Sequence, residues 1–167
     1  MTRVETALQK VNQVVALLGG FIIAIMMIHI SADIIARFFL NKPLPGTITI
    51  VAHYYMIAAI FLPLAYTEQI KASIIVDLLS KFFSERVNKC LELFSYLLIA
   101  VTALTIAYVS WEVALKNFAL KTSVMQGDYT IPTWPSYFIF CGGCVLLGIY
   151  CLAQLFVSYK KVKGQGE

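Results

Sequence analysis

Asp33 and Arg37 have side-chain types and a spacing that permit a specific electrostatic interaction. Four residues apart on a helix, a carboxylate and a guanidinium lie on one face and can form an ion pair. Both residues stand in a strongly apolar stretch, where pairing lowers the cost of burying each charge. The sequence therefore indicates an intrahelical pair. Because charges within a membrane rarely face lipid, the pair is also a candidate contact with a neighbouring subunit.

His29 and His53 are the two histidines of the chain. With the middles of the first two apolar stretches at about residues 26 and 57, both lie roughly 5 Å to the same side. No strongly acidic residue at that depth could act with either as a base, so we predict no enzyme. Equal depth on adjacent antiparallel helices suits a bis-histidine haem, which is one alternative function. We favour a hydrogen bond to a neighbouring helix or a place at a polar subunit interface, and predict no cofactor.

The string Cys141-Gly-Gly-Cys144 superficially matches a redox or metal motif. It lies inside an apolar helix, and neither a second cysteine pair nor an adjacent histidine accompanies it. Packing explains more residues, because Gly148 and Cys151 continue the same row at coiled-coil spacing. A similar row of small residues on the preceding apolar stretch comprises Ala103, Ala107, Ser110 and Ala114. The two rows are predicted to pack on each other or to offer one of them to a partner.

The composition of the chain predicts the secondary structure that carries these residues. Of the 167 residues, 60% are hydrophobic and 13% are charged, and the mean hydropathy is +0.81. A water-soluble domain could not bury that much apolar surface, which excludes a soluble enzyme, a disordered chain and a nucleic-acid-binding module. The apolar stretches span about 14–39, 47–66, 91–120 and 135–159. Each is long enough to cross a bilayer, so we predict an all-α membrane protein of one domain with four transmembrane helices.

The basic residues indicate how these helices are oriented. Nine of the 13 lysines and arginines lie in the two termini and in the connection between the second and third helices. By the positive-inside rule these segments, and therefore both termini, face the cytoplasm. Trp111 and Trp134 then fall at the outer membrane interface, where an indole ring is favoured.

The cytoplasmic connection, about residues 72–88, is predicted to be an amphipathic helix lying along the membrane surface. Its apolar residues recur at helical spacing, namely Ile75, Leu78, Leu79, Phe82 and Phe83. Asp77, Lys81 and Glu85 lie away from that stripe. Adjacent phenylalanines suit contact with acyl chains, so Phe82 and Phe83 are candidate membrane anchors. The alternative is a short helix packed on its own bundle.

Several short motifs follow one another in a recognisable order. They are Asp33-Ile-Ile-Ala-Arg37-Phe-Phe, Asn41-Lys-Pro, Ala65-Tyr-Thr-Glu68, Lys71-Ala-Ser-Ile-Ile-Val76-Asp77-Leu and Ile131-Pro132-Thr-Trp134. With the four-helix layout, the chain from about residue 14 to 159 resembles the small membrane subunit of tripartite ATP-independent periplasmic (TRAP) transporters, the DctQ-type family. The family commonly has a Trp and an acidic residue at the start of helix two, where this chain has Thr47 to His53.

The resemblance implies a small, non-catalytic subunit of a sodium-coupled symporter in the bacterial inner membrane. The transported organic acid would belong to the C4-dicarboxylate or sialic acid class. The implied partners are a large membrane subunit, which the small one anchors, a periplasmic substrate-binding protein docking on the outer face, and the lipid bilayer, but no nucleic acid. The candidate subunit-interface residues are Asp33, Arg37, His53, Ala103, Ala107, Ser110 and Gly148.

The residues themselves also favour a dependent subunit. An autonomous carrier needs polar residues converging at the membrane midplane, and usually broken helices or repeats, which this sequence does not show. A stand-alone four-helix exporter is a second alternative to the haem subunit. It is disfavoured because the first helix lacks a central acidic residue that could couple protons.

Overall fold

The computed structural model describes residues 3–70, 85–127 and 129–163, and these form four long helices and a short hairpin. The elements are α1 (Arg3–Leu40), α2 (Thr47–Ile70), α3 (Glu85–Ala119), β1 (Ser123–Gln126), β2 (Tyr129–Pro132) and α4 (Trp134–Lys163). Within the described residues, all four helices are long and apolar enough to cross a membrane. The predicted all-α membrane fold is therefore confirmed.

The elements differ from the prediction at several places. Helix α1 begins at Arg3 and not at about residue 14. Strands β1 and β2 form an antiparallel hairpin that pairs Ser123 with Pro132 and Gln126 with Tyr129, where hydropathy alone indicates only an outer loop. Helix α3 already includes residues 85–88, which the sequence assigns to the amphipathic arm. Hydropathy does not detect this extension, because the helical turns that precede the apolar span are polar. The rest of that arm, with Phe82 and Phe83, lies outside the described residues.

Residues with a left-handed backbone conformation mark the C-terminal ends of α1 and α3. Asn41 follows α1 with φ 50°, a conformation that asparagine tolerates better than most residues, and Pro43 follows it. Lys121 follows α3 with φ 47°. There the Thr122 N–H bonds the Asn117 carbonyl at 3.1 Å and the Lys121 N–H bonds that of Phe118 at 3.1 Å. This pair of bonds is a Schellman motif, which satisfies carbonyls at the helix end.

Helix α2 is irregular at two points. Residues Val51–Tyr55 form a π-helical turn, and the α-helix that follows, Met56–Phe61, is broken before residues 64–70 resume it. Pro63 explains the second break, because it has no N–H to donate and its ring crowds the preceding turn. The sequence predicts no broken helix, and the break in α2 shows that this prediction is wrong for α2.

Helices α3 and α4 form the best-packed pair in the described chain. Small residues of α3 are buried against α4, and the buried set comprises Ala100, Ala103, Ala107, Ala114, Cys141, Cys144 and Cys151. The thiol of Cys141 donates to the Ala107 carbonyl at 3.4 Å. At Gly148 an added Cβ would lie 2.8 Å from Leu104 Cδ2. The two predicted rows of small residues therefore pack on each other within this chain.

Helix α1 packs less extensively, along a narrow row. Asn12, Gly19 and Asp33 are buried and Met26 is half-buried, each seven residues from the next. At Gly19 an added Cβ would lie 3.3 Å from Pro63 Cδ, so this glycine lets α1 approach the break in α2. Most other α1 side chains are exposed, and the largest of them include Leu17, Phe21, Ile28, Phe38 and Phe39. This face is free for lipid or for another protein.

Candidate functional site

The Asp33 carboxylate organises the connection between α1 and α2. Oδ2 accepts a hydrogen bond from Arg37 Nε at 2.7 Å, which forms the ion pair. Oδ1 accepts the Leu44 N–H at 2.7 Å and the Thr47 hydroxyl at 3.2 Å. We call Asp33, Arg37, Leu44 and Thr47 the Asp33 cluster. The sequence indicates the ion pair, but the two bonds to the connection depend on a turn that spacing does not specify.

The two members of the ion pair differ in exposure. The side chain of Asp33 is 7% exposed, whereas that of Arg37 is 49% exposed. Arg37 uses Nε for Asp33, and within the described chain its two terminal nitrogens make no further bond. The carboxylate therefore acts inside this chain, while part of the guanidinium remains available for an outside acceptor.

Three successive side chains of the π-helical turn contact three different neighbours. Tyr55 OH lies 3.2 Å from His29 Nδ1 on α1, with the two rings edge to face. Tyr54 donates its hydroxyl to the carbonyl of Pro132 in the hairpin. His53 lines a cleft toward α3 and α4. Hence His29 does hydrogen-bond a neighbouring helix, as predicted, and the two histidines have different surroundings.

The cleft beside His53 has a volume of about 360 Å³ and lies between α2, α3 and α4. We call it the His53 cleft. Its lining residues are His53, Ile57, Val109, Ser110, Val113, Ser136, Tyr137 and Phe140. The sequence names His53 and Ser110 as interface candidates separately, and the structure brings them to one cavity. Ser136 is already used, since its hydroxyl donates to the Thr133 carbonyl at 2.6 Å.

The hairpin is fixed to the N-terminal end of α2. The side-chain oxygen of Gln126 accepts both the N–H of Thr49 at 3.1 Å and its hydroxyl at 2.8 Å. Thr49 is buried, so Gln126 supplies acceptors that the first turn of a helix lacks. Gly46 has φ +81°, and the side chain of Ile131 fills the space where a Cβ would stand. The start of α2 therefore requires glycine and is covered by the hairpin.

The other interface candidates are used within the chain. Ala103 and Ala107 are each 5% exposed, and Gly148 is buried, all of them on the α3–α4 contact. A role for these three in contact with a second subunit stays a prediction. Ser110 is half-buried in the His53 cleft.

The aromatic side chains at the C-terminal end of α3 and the N-terminal end of α4 form one cluster. Phe138 stands edge to face with Trp111, Trp134 and Phe118, at centroid distances of 5.9, 6.2 and 6.3 Å. Phe118 contacts Trp134 at 5.0 Å. Both tryptophans are thus on the same end of the helix pair. Their predicted role as anchors in the membrane interface is compatible with this place and stays a prediction.

Some functional contacts escape sequence analysis. Asn12 Nδ2 donates to Gln69 Oε1 at 3.1 Å and joins the N-terminal part of α1 to the C-terminal end of α2. The seven-residue spacing of Asn12, Gly19, Met26 and Asp33 is a signal that could have revealed this row. No pattern in the sequence connects Gln126 to Thr49, because the bond depends on the hairpin.

Most of this architecture lies within a region that matches a known protein family. The family model of the DctQ component of tripartite ATP-independent periplasmic transporters matches residues 26–161. The matched region runs from the middle of α1 through α4 and contains the Asp33 cluster, the His53 cleft and the hairpin. The chain belongs to the DctQ family. No curated protein and no solved structure matches it.

Membership identifies this DctQ chain as the small component of a TRAP transporter, an inner-membrane protein. The family comprises transporter components and not enzymes. The resemblance inferred from the motifs is therefore confirmed. Nothing in the match supports the haem-binding alternative, and the contacts of His29 and His53 give it no support either.

Proposed function

We propose that this DctQ chain is the non-catalytic partner and membrane anchor of a large transport subunit. The whole system imports an organic acid of the C4-dicarboxylate or sialic acid class, driven by sodium, after a periplasmic binding protein delivers the acid to the outer face. The observation that carries this proposal is the family match over residues 26–161.

The distribution of charge supports a dependent role. In the described part of the four spans, the charged side chains stand in the terminal thirds, for example Asp33 and Arg37 in α1, Glu68 in α2, and Glu92 and Glu112 in α3. A substrate or sodium site is usually built from polar groups near the midplane. The described residues offer no charged side chain there, and the hydroxyls of Thr102 and Thr105 are bonded to carbonyls of their own helix. This is expected if the large subunit carries these sites.

The exposed surface supports a contact with that subunit at the outer end of α1. The terminal nitrogens of the half-exposed Arg37 guanidinium bond none of the described residues, and Phe38 and Phe39 beside it are 78% and 74% exposed. An arginine can bond several acceptors of a partner at once. We propose that Arg37 bonds the large subunit while Asp33 holds the arginine in place.

The orientation completes the proposal. With both termini cytoplasmic, the hairpin and the Asp33 cluster lie on the periplasmic side. Met125 is 77% exposed and Tyr129 is 58% exposed on that hairpin. They offer an apolar surface on the face where the binding protein docks.

Reconstitution tests the proposed function. The tagged chain should co-purify with its cognate large subunit, and proteoliposomes should take up the acid only when both subunits, the loaded binding protein and a sodium gradient are present. Uptake that is unchanged when this chain is omitted would contradict the proposal. Flux through this polypeptide alone would instead support the exporter, and a Soret absorbance band in the purified chain would support the haem subunit.

A further inference from the structure

Three polar side chains line the His53 cleft without using their hydrogen-bonding capacity. His53, Ser110 and Tyr137 come from three different helices. Among the residues that the structure describes, none bonds the imidazole of His53, the hydroxyl of Ser110 or the phenol of Tyr137. They are also not sealed off, because each retains contact with the open cleft. A polar occupant could therefore bond all three helices at one place.

The depth of these groups restricts what that occupant can be. His53 and Ser110 each stand five to six residues outward from the middle of their spans, Thr47–Ile70 and Cys90–Ala119. At about 1.5 Å per residue, this is about 8 Å from the midplane of a bilayer whose hydrocarbon core extends about 15 Å to each side. Lipid head groups and ester groups do not reach that level. Unsatisfied polar groups in hydrocarbon are costly, so these two require a partner at their own depth.

The walls of the cleft indicate the shape of the partner. Ile57, Val109, Val113 and Phe140 make most of the surface apolar. Membrane helices associate by close packing of side chains combined with interhelical hydrogen bonds. A neighbouring helix with one hydrogen-bonding side chain between apolar residues satisfies both the apolar walls and the polar groups. A lipid acyl chain satisfies only the walls.

We propose that the His53 cleft receives a transmembrane helix of the large subunit, which places a hydrogen-bonding side chain against His53 and Ser110. This inference rests on the proposed function, since it names the contact through which the two subunits associate. It adds a second contact to the one at Arg37. The π-helical turn contributes by directing His53 to the cleft while Tyr54 and Tyr55 hold the hairpin and α1.

Photo-crosslinking in the intact complex tests the proposal. p-Benzoylphenylalanine is placed at Tyr137, which lines the cleft, and in a matched control at Tyr108, an exposed tyrosine of α3 that does not line it. We expect irradiation to join position 137 to a peptide from a membrane-spanning helix of the large subunit, identified by mass spectrometry. Position 108 should not join to that peptide.

A substitution that fills the cleft provides a second, independent test of the proposal. Ser110→Phe occupies the space, whereas Val101→Phe adds comparable bulk at an exposed α3 position outside the cleft. We expect Ser110→Phe to retain about tenfold less large subunit in co-purification, the effect of losing one interhelical contact. Val101→Phe should retain as much as the unmodified chain. If Ser110→Phe accumulates poorly, the crosslinking result decides.

The outcomes separate this inference from the proposed function. If the unmodified chain does not co-purify with the large subunit, the proposed function fails, and this inference fails with it. If the complex forms but position 137 joins a second copy of this chain, joins only lipid, or joins nothing, the cleft is not the docking site and only this inference is overturned. Full retention of the large subunit by Ser110→Phe would also overturn it.

Discussion

At the scale of single residues, Asp33 does more than neutralise Arg37. Its second oxygen receives the Leu44 N–H and the Thr47 hydroxyl, so one buried carboxylate links α1 to the connection and to the first turn of α2. The bond that the sequence indicates is one of three. Removing the carboxylate therefore leaves several donors without an acceptor. This lowers the free energy of unfolding more than removing both partners of one hydrogen bond would.

Because of this arrangement, we expect the loss of Asp33 to destabilise the chain more than the loss of Arg37. Asp33→Ala should lower the unfolding temperature of the purified chain by several degrees, whereas Arg37→Ala should lower it much less. The double variant should stay as unstable as Asp33→Ala, because Leu44 and Thr47 still lack their acceptor. Unfolding in detergent, followed by tryptophan fluorescence, measures all three, with Lys42→Ala as the control in the exposed connection. Recovery of stability in the double variant would show that the ion pair alone matters.

The same variants test the proposed subunit contact. Arg37→Ala should reduce the amount of co-purified large subunit more than it reduces the stability of the chain, because the Arg37 side chain is 49% exposed and its terminal nitrogens bond none of the described residues. A proportional loss of both quantities would indicate that Arg37 acts only within this chain.

At the scale of elements, one glycine of α4 lies directly against the break in α2. Pro63 interrupts α2, and Gly143 of α4 lies against the Phe61 backbone next to that break, where an added Cβ would come within 2.8 Å of the Phe61 carbonyl carbon. Backbones of membrane helices approach this closely only where a side chain is absent. Gly19 of α1 approaches Pro63 itself.

Two adjacent glycines provide a matched test of this approach. Gly143→Ala should destabilise the chain by about 1–3 kcal/mol, because the methyl group forces α2 and α4 apart. Gly142→Ala should be neutral or stabilise by up to about 1 kcal/mol, since nothing lies within 4 Å of its added Cβ and alanine favours the helix. Thermal unfolding of the two variants gives the comparison. Equal effects would show that the α2–α4 approach contributes little.

The elements also show which parts of the architecture a sequence can predict. Four apolar spans and the small-residue rows of α3 and α4 follow from hydropathy and helical period, both of which act within one helix. The hairpin is different, because Gln126 and Tyr54 bond groups 77 and 78 residues away. The π-helical turn at His53 also has no sequence signature that we can name. The His53 cleft depends on three helices together, so spacing identifies its members without showing that they meet.

At the scale of the whole molecule, the chain is asymmetric across the membrane. Nine basic residues are assigned to the inner side and four to the outer side. The Asp33 cluster, the hairpin and the aromatic cluster around Phe138 all lie at the opposite end from the α2–α3 connection. At the end of the described helices next to Ile70 and Glu85, a single polar bond joins α1 and α2, from Asn12 to Gln69. The polar contacts that fix the fold are thus concentrated at the other end, which the positive-inside rule predicts to face the periplasm.

This asymmetry predicts which positions can be labelled from outside the cell. In a Cys90→Ser background the three remaining cysteines are buried, so a new cysteine reports its own location. Met125→Cys, at the 77% exposed hairpin position, should react with a membrane-impermeant maleimide in intact spheroplasts. Lys10→Cys should react only after the membrane is permeabilised, because the positive-inside rule places that exposed residue in the cytoplasm. Reporter fusions at Lys81 and Lys163 should likewise read cytoplasmic. Labelling of Lys10→Cys before permeabilisation would show that the topology is the inverse of the predicted one. The Asp33 cluster and the hairpin would then lie on the side away from the periplasmic binding protein.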